Sequence, residues 1–202
     1  MKQENQKEFA AIIEDFEADK ALTGFINDGA GDRYHAALLL IEIADYKGLL
    51  DYYDWFYTHF PDDIGFPELH LCWIYAALNT GRDDLLHKHL VELEDINTYV
   101  LPKLLGQPVE RVEKWEGSNL ETEAYADYLL DEHLFQQQLS PKMKARLLSI
   151  TQSEVYQEYK QRFLAYQVEI DTLPVGPKRS HTLEKSYELL EDWMVALGGE
   201  RL

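Results

Sequence analysis

A chain of 202 residues with 37 acidic and 19 basic side chains carries a formal net charge of −18. Hydrophobic residues make up 46% and aromatics 12%, which is enough to build a core and excludes wholesale disorder. The acidic balance argues against a primary nucleic-acid binder, because phosphate contacts need clustered Lys and Arg.

No apolar run, Ala36 to Ile41 included, approaches the roughly 18 residues of a membrane helix, so no membrane partner is expected. The opening Met1 to Glu8 lacks an apolar core, so no secretory signal is expected. The lone Cys72 has no internal partner for a disulfide, which fits a reducing, cytoplasmic compartment.

Helical periodicity runs almost throughout. Phe9, Ile12, Ile13 and Phe16 place residues 3–21 on one amphipathic helix. Gly24, Asn27-Asp28-Gly29 and Gly31 mark a loop, with Asp32 as candidate N-cap of a second helix. Tyr34, Ala37, Leu38 and Ile41 make that helix apolar over more than half its circumference, as a helix buried on several sides must be. A third helix runs from about Leu49 to Phe60 and stops before Pro61. Pro67 opens a fourth, with Leu69, Cys72, Trp73 and Ala76 inward and Gly81 closing it. Asp83 and Asp84 open a fifth, carrying Leu86, Leu90 and Leu93.

Pro102, Gly106, Pro108 and Gly117 break residues 96–117 into short pieces. Ser118-Asn119-Leu120-Glu121 has the capping-box pattern ahead of a helix to about Gln136. Ser140-Pro141 opens another, and Thr151-Gln152-Ser153-Glu154 reads as a second capping box. The helix after it carries Val155, Tyr159, Phe163 and Tyr166 on one face. After a loop holding Pro174, Gly176 and Pro177, a last helix over about 182–197 aligns Leu183, Tyr187, Leu190, Met194 and Leu197 and ends at Gly198-Gly199. No segment shows strand alternation. The expected fold is therefore all-α, of seven to nine helices in one domain over 1–202, with 1–117 and 118–202 as its substructure.

A shift of 36 residues overlays two helix pairs: Ala37 on Trp73, Leu40 on Ala76, Ile41 on Ala77, Leu49 on Leu85 and Leu50 on Leu86. Over roughly 32–96 the chain resembles tetratricopeptide-type helical repeats. Leu38 and Leu50, then Ile74 and Leu86, stand where that family has small residues, and the later helices supply no third copy. The resemblance implies stacked helical hairpins, a short α-solenoid, with a concave protein-binding surface. The alternative is an irregular helical bundle.

Catalytic and metal-binding signals are weak. No phosphate loop, Gly-x-Ser-x-Gly or His-Glu-x-x-His is present. His87 and His89 lie on different helix faces, while Asp83 and His87, four apart, suit an exposed pair. Asp131-Glu132-His133, and Glu68 with His70, are too close in sequence to converge on one metal. Cys72 beside Trp73 reads as a buried, inert thiol. No cofactor and no enzyme activity are expected.

Charge and aromatics point elsewhere. Residues 61–133 hold a net −11, while 134–202 hold nine charges of each sign. Tyr52, Trp55 and His59 form an aromatic stripe beside Asp51 and Asp54, which either packs on a neighbouring helix or anchors a partner. The reading is a non-catalytic protein-interaction module that binds a basic protein through an acidic face. Its carboxylates are Asp62, Asp63, Asp83, Asp84, Glu92 and Glu94, and its anchors are Tyr52, Trp55 and His59. Its sharp form is an inhibitor or immunity protein that neutralises a toxin, a likeness of composition and class alone. The alternative is an enzyme or small-molecule sensor with a pocket between helices.

Overall fold

Helical periodicity becomes eleven α-helices and one 3-10 turn, with no strand among the described residues. The computed structural model describes residues 2–109, 111–131 and 133–198; Gly199 and Glu132, both invoked above, lie outside them. The helices are α1 (Lys2–Thr23), α2 (Asp32–Glu42), α3 (Tyr46–His59), α4 (Pro67–Thr80), α5 (Asp83–Ile96) and α6 (Val100–Leu105). The 3-10 turn Asn119–Glu121 precedes α7 (Glu123–Asp131), α8 (Leu134–Gln138), α9 (Pro141–Thr151), α10 (Glu154–Thr172) and α11 (Pro177–Ala196). The count exceeds seven to nine for two reasons. Val100–Leu105 forms a short helix that takes Pro102 into its first turn and ends at Gly106, and the helix expected to reach Gln136 breaks at His133, whose φ is 59°.

The chain divides into two units, 1–81 and 82–202. The division lies at Gly81, whose φ of 76° turns α4 off in the left-handed region that favours glycine. It does not lie at 117/118. The helices α4 and α5, paired above as the second hairpin, belong to different units.

In the N-terminal unit α2 packs against α1, α3 and α4, the several-sided burial that its sequence requires. Ala36, Ala37, Leu40 and Ile41 are buried on it. The face expected on α4 is only part of its burial: every residue from Leu69 to Ala77 is buried, and no charge interrupts them. Trp73 meets Tyr53 edge-on at 5.2 Å and Phe56 at 5.9 Å, both from α3. Burying such a side chain contributes about 1.5–3 kcal/mol. Cys72 is fully buried, and that burial pushes its thiol pKa up, away from the reactive thiolate.

In the C-terminal unit α10 packs on α9 and α11, α5 on α11 and α6, and α6 on α7 and α9. Ser140 caps α9 as expected, accepting from the Met143 amide at 3.3 Å. Two other caps differ. The pattern at 118–121 closes the 3-10 turn: Ser118 Oγ accepts from Leu120, Glu121 from Gly117, and Thr122 takes over at the start of α7. Ser153, not Thr151, caps α10, because α9 runs through Thr151 and its hydroxyl donates to the Leu147 carbonyl. The inward face of α10 is accordingly Tyr156, Phe163, Gln167 and Ile170, while Val155 is exposed. On α11, Leu189, Leu190, Trp193 and Met194 face inward and Tyr187 is exposed.

Candidate functional site

The aromatic stripe of α3 is packing surface. Tyr52 is 2% exposed, its ring edge-on to Phe9 of α1 at 5.4 Å and its hydroxyl donating to the Arg33 carbonyl at 2.7 Å. Tyr52 therefore offers nothing to a partner. Trp55 stacks on Phe16 of α1 and donates its indole N–H to Glu17 at 2.9 Å. His59 stacks on Trp55 at 4.2 Å. Its Nδ1 donates to the Trp55 carbonyl at 2.7 Å, which leaves Nε2 to accept from Lys20 of α1 at 2.9 Å. Helix α1 thus covers the stripe, because Phe9 and Phe16 on its apolar side must be buried against something.

The carboxylates expected to form one acidic face are mostly engaged within the chain. Asp62 is exposed in the N-terminal unit, but the side chain of Asp63 is only 10% exposed and pairs with Arg33. In the C-terminal unit Asp83 pairs with Arg146 at 3.0 Å and Asp84 with Arg82 at 2.6 Å. The Arg82 hydrogen bond holds the Asp84 carboxyl below its ordinary pKa. Glu92 meets His89 at 2.8 Å and Lys88 at 3.8 Å. Glu94 is buried, accepting from Tyr156, Thr98 and Lys160, so it presents no charge to an approaching protein.

One end of the N-terminal unit is built differently. The loop between α1 and α2 carries Asp28, and the loop between α3 and α4 carries Asp63. Arg33, in the first turn of α2, bridges them: Nη1 donates to Asp28 at 2.6 Å and Nε to Asp63 at 2.7 Å. Its remaining nitrogen donates to the Tyr34 hydroxyl at 2.8 Å, which in turn donates to Asp63 at 2.8 Å. Both carboxylates also order backbone. Asp28 accepts from the Asp32 amide at 2.7 Å, the cap that Asp32 itself was expected to provide, and Asp63 accepts from Gly65 at 2.7 Å. Burial, together with the bond to Asp63, pushes the Tyr34 phenol up to about 12.

Large apolar side chains stand on these clamped loops. Phe25 is 64% exposed and Ile64 81%. Phe66, also exposed, stacks on Tyr34 at 4.4 Å. Asp32, at the start of α2, and Asp62, on the loop between α3 and α4, are exposed as well. Of this surface the sequence marked only Asp62 and Asp63, by their charge; Phe25, Ile64 and Phe66 were missed. Arg33 and Asp63 are 30 residues apart, and no local pattern reports such a pairing. Comparison of the chain with family models, with curated proteins and with solved structures gave no match.

Proposed function

We propose that the chain is a non-catalytic protein-binding module and that its working surface is the clamped loop end of the N-terminal unit. The observation that carries this reading is the set of exposed apolar side chains Phe25, Ile64 and Phe66 on loops that Arg33 holds in place. Exposed apolar groups gathered on ordered loops commonly mark an interaction site, and prior order lowers the entropy lost on binding. The partner is a basic protein: residues 1–81 carry fifteen acids against five bases, a net −10, with Asp32 and Asp62 among those exposed. Such a field hastens encounter, and the apolar anchors slow dissociation. Neutralising a basic toxin is the sharpest form of this function.

The test compares capture by the wild type and by a Phe25→Asp, Ile64→Asp variant, both shown to fold, from native lysate. A basic protein should be retained by the wild type alone, and its association should slow as salt rises. Capture that yields no basic protein dependent on these side chains, or binding indifferent to salt, overturns the reading.

A further inference from the structure

The C-terminal unit holds a cleft of about 510 Å³ between α6, residues 107–109 with Val112, the end of α9 and the side of α10. Glu94, Thr98, Tyr156 and Lys160 form its inner side, and Gln152, Gln157 and Gln161 stand exposed at its rim. Pro102, Pro108, Val109, Val112 and Leu164 supply apolar surface.

Charge narrows what this cleft can hold. Among the described residues that line it, Glu94 and Lys160 are the only charged ones, and they neutralise each other at 2.8 Å. An anion set against Lys160 would also face the Glu94 carboxylate. A cation set against Glu94 would face the Lys160 ammonium. Either charge loses on one side what it gains on the other.

Hydrogen-bonding capacity narrows it further. Lys160 directs one proton to Glu94 and one, at 3.5 Å, to the Thr98 carbonyl, which leaves a third for a ligand. Glu94, its side chain 1% exposed, takes Tyr156 and Lys160 on Oε1 and Thr98 on Oε2 and is spent inside the protein. Each rim glutamine offers an acceptor and at least one N–H, Gln157 already giving one N–H to the Thr151 carbonyl. A hydroxyl group, which also donates and accepts, matches this lining, whereas an apolar ligand would strand it. Tyr99 and Tyr156 are 3% and 1% exposed, so neither offers a ring face on which a planar base would stack.

We propose that the cleft binds a neutral polyhydroxylated small molecule of monosaccharide to disaccharide size. Its hydroxyls meet Lys160 and the glutamine amides, and its C–H faces rest on the prolines and valines. The volume lies within the range of small-molecule sites. The site lies wholly in the C-terminal unit and stands or falls independently of the protein-binding surface.

The test is a backbone and side-chain NMR titration of the intact chain with D-glucose, D-galactose and maltose, each at up to tens of millimolar. At least one sugar should give saturable shifts at Lys160, Gln157 and Gln161 that persist at high salt. Glucosamine and glucose 6-phosphate should bind about tenfold more weakly. Replacing Gln157 and Gln161 with Ala changes exposed rim residues, and should weaken binding by roughly tenfold while the chain stays folded. Absence of saturable shifts with all three sugars, shifts confined elsewhere, tighter binding of either charged analogue, or unchanged binding by the rim variant would each overturn the assignment.

Discussion

Arg33 shows how much one side chain can organise. Its planar fork reaches three acceptors at fixed angles, Asp28, Asp63 and the Tyr34 hydroxyl, and its guanidinium also lies 5.0 Å from the Phe60 ring centroid. A lysine has the charge without the fork. In Arg33→Lys, the ammonium would satisfy at most part of this set and leave the Asp28 carboxylate, 1% exposed, short of donors. A loss of about 1–3 kcal/mol is expected in urea unfolding, with helix content unchanged, because the three groups sit between loops and not within a helix. A variant as stable as the wild type would show that the clamp does not hold the loops. The same residue marks the limit of reading the sequence for a site. Asp62 and Asp63 were picked out by charge, but a carboxylate's role depends on its partner. Only the fold brings Arg33 to Asp63 and Lys160 to Glu94.

At the scale of the element, helices were largely legible and their ends less so. Amphipathic spacing located α1 to α5 within a few residues, since apolar faces of that width are stable only when buried. End signals compete. Thr151 and Ser153 both have capping side chains, and tertiary packing of α9 decides between them, turning the inward face from Val155 to Tyr156. The turn between α2 and α3 closes without a glycine. Asp45 N–H donates to the Leu40 carbonyl and Ala44 N–H to the Ile41 carbonyl, both at 3.0 Å, which is a Schellman closure. Its left-handed position is held by Ala44, with φ of 54°. Ala44 is exposed, so its methyl group adds no packing to offset that strain. Ala44→Gly removes a cost of about 1–2 kcal/mol and gives back part of it as unfolded-chain entropy. A net gain of up to about 1 kcal/mol is expected, read as a higher melting temperature. A lower melting temperature would mean that the turn is not strained at Ala44.

Across the whole molecule, the count of 37 acidic side chains overstates the bare acid on the surface, because Asp63, Asp83, Asp84, Glu92 and Glu94 all have Lys or Arg partners within the chain. The more telling titratable groups are the buried phenols. Burial raises Tyr34 to about 12 and, beyond that range, Tyr52 and Tyr75 in the N-terminal unit. In the C-terminal unit burial raises Tyr156 as well, reinforced by the Glu94 carboxylate it donates to. An unfolded tyrosine ionises near pH 10. Below that pH both states keep their phenols neutral and stability is intact. Above it the unfolded chain loses protons that the folded chain retains, so stability falls as pH rises, by up to about 1.4 kcal/mol per pH unit for each such group. Because both units contain raised phenols, both should weaken together. Melting temperatures measured from about pH 8 to pH 11 should hold level and then drop steeply, with phenolate absorbance from these tyrosines appearing only as the chain unfolds. Tyr52→Phe loses the bond to the Arg33 carbonyl and is expected to be less stable at neutral pH. Its deficit should shrink above pH 10, where its ionisable competitor in the unfolded state is gone. A melting temperature flat through the alkaline range, or a Tyr52→Phe deficit that stays constant with pH, would show that these phenols do not control alkaline stability.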